Sequence, residues 1–181
     1  MCIVKLLKGK KDMGTILMRM SGLLAGGFLV GILLFMTLDA ADAADRTPVK
    51  PARGDKCPVC GMFVAKYPDF IAQVLYKDGS YAVFDGVKDF FKYLQNQKKY
   101  APSKGGEAAI ESMYVTDYYS LSPVAARSAW YVQGSDVLGP MGKELIPFAK
   151  EVDAREFKKD HKGNRIFRFN EVTPAVLMTL D

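Results

Sequence analysis

The stretch from Phe70 to Leu94, FIAQVLYKDGSYAVFDGVKDFFKYL, changes its hydrophobic period partway along, and that change decides the fold class. Phe70 to Tyr76 sets Phe70, Val74 and Tyr76 in alternation with Ile71, Gln73 and Leu75, the period of a strand. Asp78-Gly79 then predicts a two-residue type I′ hairpin turn, because glycine tolerates the positive φ such a turn demands. Ser80 to Phe84 supplies the return strand. From there the period lengthens: Val87, Phe90, Phe91 and Leu94 fall at i, i+3, i+4 and i+7, with Lys88, Asp89 and Lys92 on the other side. That is an amphipathic helix with one core-facing stripe, for which Asp85 is the expected N-cap. After a loop at Ser103-Lys104-Gly105-Gly106-Glu107, Ser112 to Ser120 reads as a further strand, rich in Tyr, Val and Thr.

The remainder repeats this order. Ala129 to Val132 and Leu145 to Ala149 are strand candidates, and Pro147 confines the second to a sheet edge because it has no N–H to donate. A helix is expected from Asp153, with Glu156 completing a capping box and Val152 stapled onto Phe157. Gly163 is its expected stop, Asn164 to Asn170 the last strand, and Thr173-Pro174 the start of a short terminal helix. The expected fold class is therefore α+β: two tandem ββαβ units, over residues 56–122 and 123–181.

Upstream, a basic stretch (Lys5, Lys8, Lys10, Lys11, Arg19) precedes an uncharged apolar run from Gly22 to Leu38 and then Ala41-Asp42-Ala43. This is the grammar of an export signal. Residues 1–43 are expected to be a cleaved signal peptide or an uncleaved membrane anchor, and the basic N-terminal flank predicts that the remainder is exported. Residues 44–55, with two prolines and a glycine, read as a linker.

The chain has 181 residues, 49% of them hydrophobic and 25% charged, with a formal charge of +5. These are globular values, enough for one domain or two small ones sharing an interface. Much of the positive excess sits in the export signal, so no nucleic-acid partner is expected. No nucleophile arrangement, phosphate loop or useful pair of carboxylates stands out, and no enzyme activity is expected.

The chemistry-bearing residues are sulfurs. Cys57-Pro58-Val59-Cys60-Gly61-Met62 places two thiols two residues apart on a turn, with a thioether beside them. Soft donors of this kind favour Cu(I) over hard ions. Two other readings of the pair stand beside it. A thioredoxin-like redox pair requires the cysteines at a helix start, whereas a strand-like Met-Phe-Val-Ala follows here. A structural disulfide or half of a zinc site is the third; zinc would want two further ligands, and His161 is the one histidine. Met141, in Gly139-Pro140-Met141-Gly142, lies on a turn with no core to fill and is a candidate extra donor, although most methionines fill gaps. Met113 and Met178 are expected in the core. His161 reads as a solvated residue at a helix end, and Tyr118, Tyr119 and Trp130 as strand residues.

Taken together, Cys57-Pro-Val-Cys60-Gly-Met62, Val83-Phe84-Asp85, the strand end Tyr131 to Asp136 and Gly139-Pro-Met141-Gly-Lys-Glu-Leu-Ile-Pro147-Phe148 resemble the NosL family of nitrous-oxide reductase accessory proteins. The resemblance covers most of Cys57 to Val172. It implies a pair of ββαβ units and a Cu(I) chaperone held by Cys57, Cys60, Met62 and Met141. The client would be nitrous-oxide reductase or the ABC-type transporter of its maturation. Typical members are lipoproteins acylated on a cysteine after the signal; that cysteine is absent here, so the apolar segment would take over any anchoring. A thiol-disulfide oxidoreductase using the same CxxC pair is the competing function.

Overall fold

A computed structural model describes residues 46–181, and the signal or anchor expected over residues 1–43 lies outside them. Seven strands and four α-helices follow in the order β1 (Ala72–Tyr76), β2 (Tyr81–Phe84), α1 (Val87–Gln95), α2 (Gln97–Tyr100), β3 (Ile110–Thr116), β4 (Pro123–Ala125), β5 (Trp130–Gly139), β6 (Gly142–Phe148), α3 (Glu151–Asp160), β7 (Arg165–Arg168) and α4 (Pro174–Met178). The first sheet has the order β2-β1-β3-β4 and the second β6-β5-β7. Each unit therefore runs strand, strand, helix, strand, with its first strand in the middle and every pairing antiparallel. The expected pair of ββαβ units is present. β4, unforeseen, extends the first sheet by pairing with β3. Among the described residues, no helix is long and apolar enough to cross a membrane.

Position in the sheet explains why β1 is buried on both faces. Its five residues are all buried. On one face Ala72, Val74 and Tyr76 join Phe84, Met113 and Val115 in the main core. On the other, Gln73 pairs with the chain that precedes the sulfur loop: its Oε1 accepts from Val49 N at 2.8 Å and its Nε2 donates to Val49 O at 3.2 Å. Arg46 reinforces this cover, donating from its guanidinium to Gly79 O at 2.8 Å while its own carbonyl accepts from the Tyr114 hydroxyl at 2.8 Å.

Helix α1 lies between the sheets. Val87, Phe90 and Phe91 join a core that also takes Tyr131, Leu145 and Phe167 from the second sheet, and Phe91 meets Tyr131 edge-on with centroids 5.2 Å apart. The opposite face of the second sheet, Val132, Ile146 and Phe148, is closed by Ala154 and Phe157 of α3. A backbone bond from Tyr118 N to Pro147 O, 3.0 Å, joins the end of the first sheet to β6. Pro147 sits on the edge strand, as its missing N–H requires.

Several local expectations are corrected. The hairpin turn is not type I′, since Gly79 (φ +85°) is its one left-handed residue. Gly79 N bonds Tyr76 O, and Tyr76 N bonds Ser80 O, which is a three-residue loop ending in a left-handed glycine. Lys88 and Asp89 are buried rather than solvated, because α1 is covered from both sides. The stretch after Met62 makes one bridge, Lys56 with Phe63, and then a short 3-10 turn instead of a strand. Helix α3 starts at Glu151 with Lys150 as N-cap, so the box at Asp153 does not form and Val152 is exposed. Glu151 and Asp153 then lie in the first turn, where the helix dipole favours acidic groups. Lys162 (φ +57°), not Gly163, takes the left-handed position after α3. Gly163 is needed for space, since a Cβ there would come within 2.7 Å of Val132. Tyr118 and Tyr119 follow β3 and pack on Phe148 and Phe157, while Met178 is exposed.

Asp117 is the polar weld between the units. It is buried, its Oδ1 accepts from Ser120 N and its Oδ2 from Ala149 N, both at 2.7 Å. Burial works against its charge, but these N–H donors prevail and hold the carboxyl below its ordinary value. Asp117→Ala is expected to lower the unfolding free energy by about 2 kcal/mol at neutral pH. Because the folded value is the depressed one, that difference should shrink as pH falls through the carboxyl range. Denaturant unfolding of both proteins from pH 7 to 3 measures it.

Candidate metal centre

The sulfur loop is built by its backbone. Gly61 N donates to Cys57 O and Cys57 N to Met62 O, both at 2.9 Å, and Gly61 closes the turn at φ +80°. The Lys56–Phe63 bridge and fully buried Val64 tie its base to the core. This closed turn points the two thiols at the start of α1. Cys57 Sγ donates to Asp89 Oδ2 at 3.4 Å and Cys60 Sγ to Asp85 Oδ1 at 3.1 Å. One donor atom from each of these four side chains lies within 4.8 Å of all the others.

Cys57 is 1% exposed, Asp85 1% and Asp89 5%, while Cys60 is half-buried and forms the open side. Burial pushes the Cys57 thiol far above its ordinary value, with the Asp89 charge adding to the rise. Burial also pushes Cys60 up, to about 12, with the hydrogen bond to Asp85 acting in the same direction. Both sulfurs are free thiols, so the pair carries its protons at neutral pH. A redox-active cysteine needs the reverse, a lowered pKa at a helix start. Asp85 Oδ2 is buried with no hydrogen-bond partner, an acceptor left for a cation or proton.

Of the expected site residues, the structure brings Cys57 and Cys60 together. Met62 is half-buried at the end of the loop, where its carbonyl closes the turn. Met141 is at the tip of the β5–β6 hairpin with 46% of its surface exposed. Its carbonyl accepts from Lys88 Nζ at 3.0 Å, so the turn is fastened to the residue beside Asp89. His161 is outside the four-donor cluster; its Nδ1 is 3.0 Å from Asp136 Oδ1 and its ring stacks on Phe157.

Asp85 is not the expected N-cap. Gly86 holds that place without a side-chain cap bond, because the Asp85 carboxylate is turned to Cys60. Asp89 was assigned to the solvated face and is instead part of the cluster. The available signal was a pair of carboxylates, Asp85 and Asp89, four residues apart around the start of the helix that follows the hairpin.

Comparisons with known proteins bear on this site. A family model described as NosL matches residues 48–177. The copper-binding lipoprotein NosL of Stutzerimonas stutzeri is 28% identical over 167 residues, covering 85% of this chain and 83% of that protein. The crystal structure of the copper chaperone NosL from Shewanella denitrificans superposes with a TM-score of 0.60 at 27% identity, over 71% of this chain and 97% of that one. The solution structure of apo-NosL from Achromobacter cycloclastes matches at 24% identity and TM-score 0.42, over 59% and 87%. With the family model spanning the sulfur loop, both sheets and the Met141 turn, the chain belongs to the NosL family.

Proposed function

We propose that this chain is an extracytoplasmic copper chaperone that carries Cu(I) on Cys57 and Cys60, with Met62 and Met141 as thioether donors. It would release the ion to nitrous-oxide reductase or to the ABC-type transporter of its maturation. The observation that carries the reading is the pair of free thiols on a closed loop, each with its proton directed at a buried carboxylate. Sulfur suits a soft monovalent ion. A cation entering between the sulfurs displaces the thiol protons, and each has an acceptor already at hydrogen-bond distance. The ion's charge then compensates the thiolates that burial otherwise forbids. The half-buried Cys60 side leaves room for an incoming ligand, so transfer proceeds by exchange and not by release into water. The names of the relatives support copper as the cargo, and the raised thiol pKa values weigh against the oxidoreductase alternative. Periplasmic placement, with the N-terminal apolar segment as signal or anchor, accords with a lipoprotein relative.

One observation favours a second cargo. Two sulfurs and two carboxylates also suit a borderline ion such as Zn(II), and Asp85 Oδ2 is buried without a partner.

Anaerobic titration against a chromophoric Cu(I) chelator tests the site. A Cys57→Ser, Cys60→Ser double variant is expected to lose stoichiometric Cu(I) binding; full retention would refute the assignment. Parallel titration with Zn(II) ranks the two ions, and a clear preference for Zn(II) reverses the choice of cargo. Since burial holds both apo thiols far above neutral pH, Cu(I) affinity is expected to climb throughout pH 6 to 9 as the displaced protons pass to solvent. The slope should be roughly tenfold per pH unit for each proton displaced. A flat profile means that no proton leaves the site on binding, whether Asp85 and Asp89 keep the protons the thiols give up or the thiols keep their own.

A further inference from the structure

The deepest carboxylate of the second unit is not in the four-donor cluster. Glu144 is 3% exposed on β6, three residues past Met141. Its Oε1 accepts from Lys88 N at 2.5 Å and from Leu145 N at 2.9 Å. Lys88 N is one of the orphan donors at the start of α1, which has no side-chain cap of its own because its N-cap is Gly86. The cap is thus supplied across the interface between the two sheets. Glycines make room for it: a Cβ at Gly86 would collide with Glu144 Oε2, and one at Gly139 would lie 3.1 Å from Glu144 Cγ.

Lys88 returns the link in the opposite sense. Its ammonium, buried beside Asp181, donates to Met141 O at 3.0 Å and to Leu180 O at 3.1 Å. The next residue, Asp89, accepts from Cys57. One helical turn therefore references both the thiol loop, through Asp89, and the methionine turn, through Lys88 and Glu144. A helix start alone needs only an Asp or Ser at its N-cap. Burying a carboxyl group for that purpose is the costlier arrangement. What the costlier arrangement adds is a fixed relation between the two sulfur-bearing segments.

We propose that Glu144 is a positioning residue for the third sulfur: by holding the first turn of α1 against β6, it lets Lys88 seat the Met141 turn beside the thiol pair before metal arrives. The proposal rests on the reading of Met141 as a donor. Burial pushes the Glu144 carboxyl up to about 8 against the pull of the Leu145 and Lys88 N–H groups. Glutamine, neutral and with the same acceptor oxygen, is accordingly its faithful replacement near neutral pH.

Cu(I) affinities of the wild type, Met141→Ala, Glu144→Ala, Glu144→Gln and the Met141→Ala, Glu144→Ala double variant form a cycle, with thermal unfolding recorded for each. Met141→Ala and Glu144→Ala should each weaken binding roughly tenfold, and Glu144→Gln should stay near wild type. The double variant should be no weaker than Met141→Ala alone. X-ray absorption of the copper-loaded Glu144→Ala protein should show one fewer sulfur neighbour. Additive losses, or an unchanged sulfur count, overturn the positioning role while leaving Met141 a donor. Wild-type affinity in Met141→Ala itself overturns the donor reading, and the positioning role with it. If Glu144→Ala does not fold, Lys88→Met cuts the link to Met141 O and keeps the capped N–H. The same non-additivity is expected there, and wild-type affinity overturns the proposal.

Discussion

One buried and one half-buried thiol face two buried carboxylates, and that confrontation governs the site. Burial holds the Cys57 and Cys60 thiols well above their ordinary range, and the facing carboxylates of Asp89 and Asp85 act in the same direction. A cation between the sulfurs would make the anionic form of the pair acceptable. Reactive thiols in enzymes are stabilised as thiolates by positive surroundings; here the surroundings are apolar and acidic and disfavour the thiolate. The same four side chains account for the departures from simple helix chemistry nearby. Asp85 is taken from capping duty, Asp89 from solvent, and Asp85 Oδ2 is left without a partner.

Helix α1 is the element through which the rest of the fold serves this confrontation. Its apolar stripe is shared by both sheets, and its first turn carries the polar connections. Phe90 and Phe91 provide the adhesion, with Phe91 edge-on to Tyr131 of the second sheet. Lys88 and Asp89 provide the direction, one toward the Met141 turn and one toward Cys57. Since the dispersion contacts are tolerant and the buried polar ones are not, the polar set decides where the sulfur segments stand relative to each other.

This division suits a carrier. A protein that must hold a soft ion and then surrender it needs donors matched in kind but not closed around the ion. Cys57 is sealed beneath the loop while Cys60 and Met141 remain accessible. On the proposed ligand set, the sealed sulfur would provide retention and the accessible ones the route by which an acceptor's ligand enters. The welds at Asp117 and at Tyr118 to Pro147 keep the two units from drifting apart.

Local pattern carried much of the fold. The switch from period two to period 3.6 between Phe70 and Leu94 located β1, β2 and α1, and Pro147 correctly marked an edge strand, because these signals depend on backbone chemistry within a few residues. The thiol pair was legible for the same reason: Cys57 and Cys60 are neighbours in the chain, and sulfur's softness belongs to the residue type. What sequence could not supply was anything settled by a distant partner. Asp89 and Lys88 looked solvated because the second sheet that buries them begins some forty residues later. Asp85 looked like a cap because the thiol that claims its carboxylate arrives from the loop before β1. Glu144 carried no signal at all, since its meaning comes from a helix start more than fifty residues upstream. Periodicity reports which face of an element is apolar, but the pairing of buried polar groups is decided by three-dimensional proximity, and only the folded chain provides it.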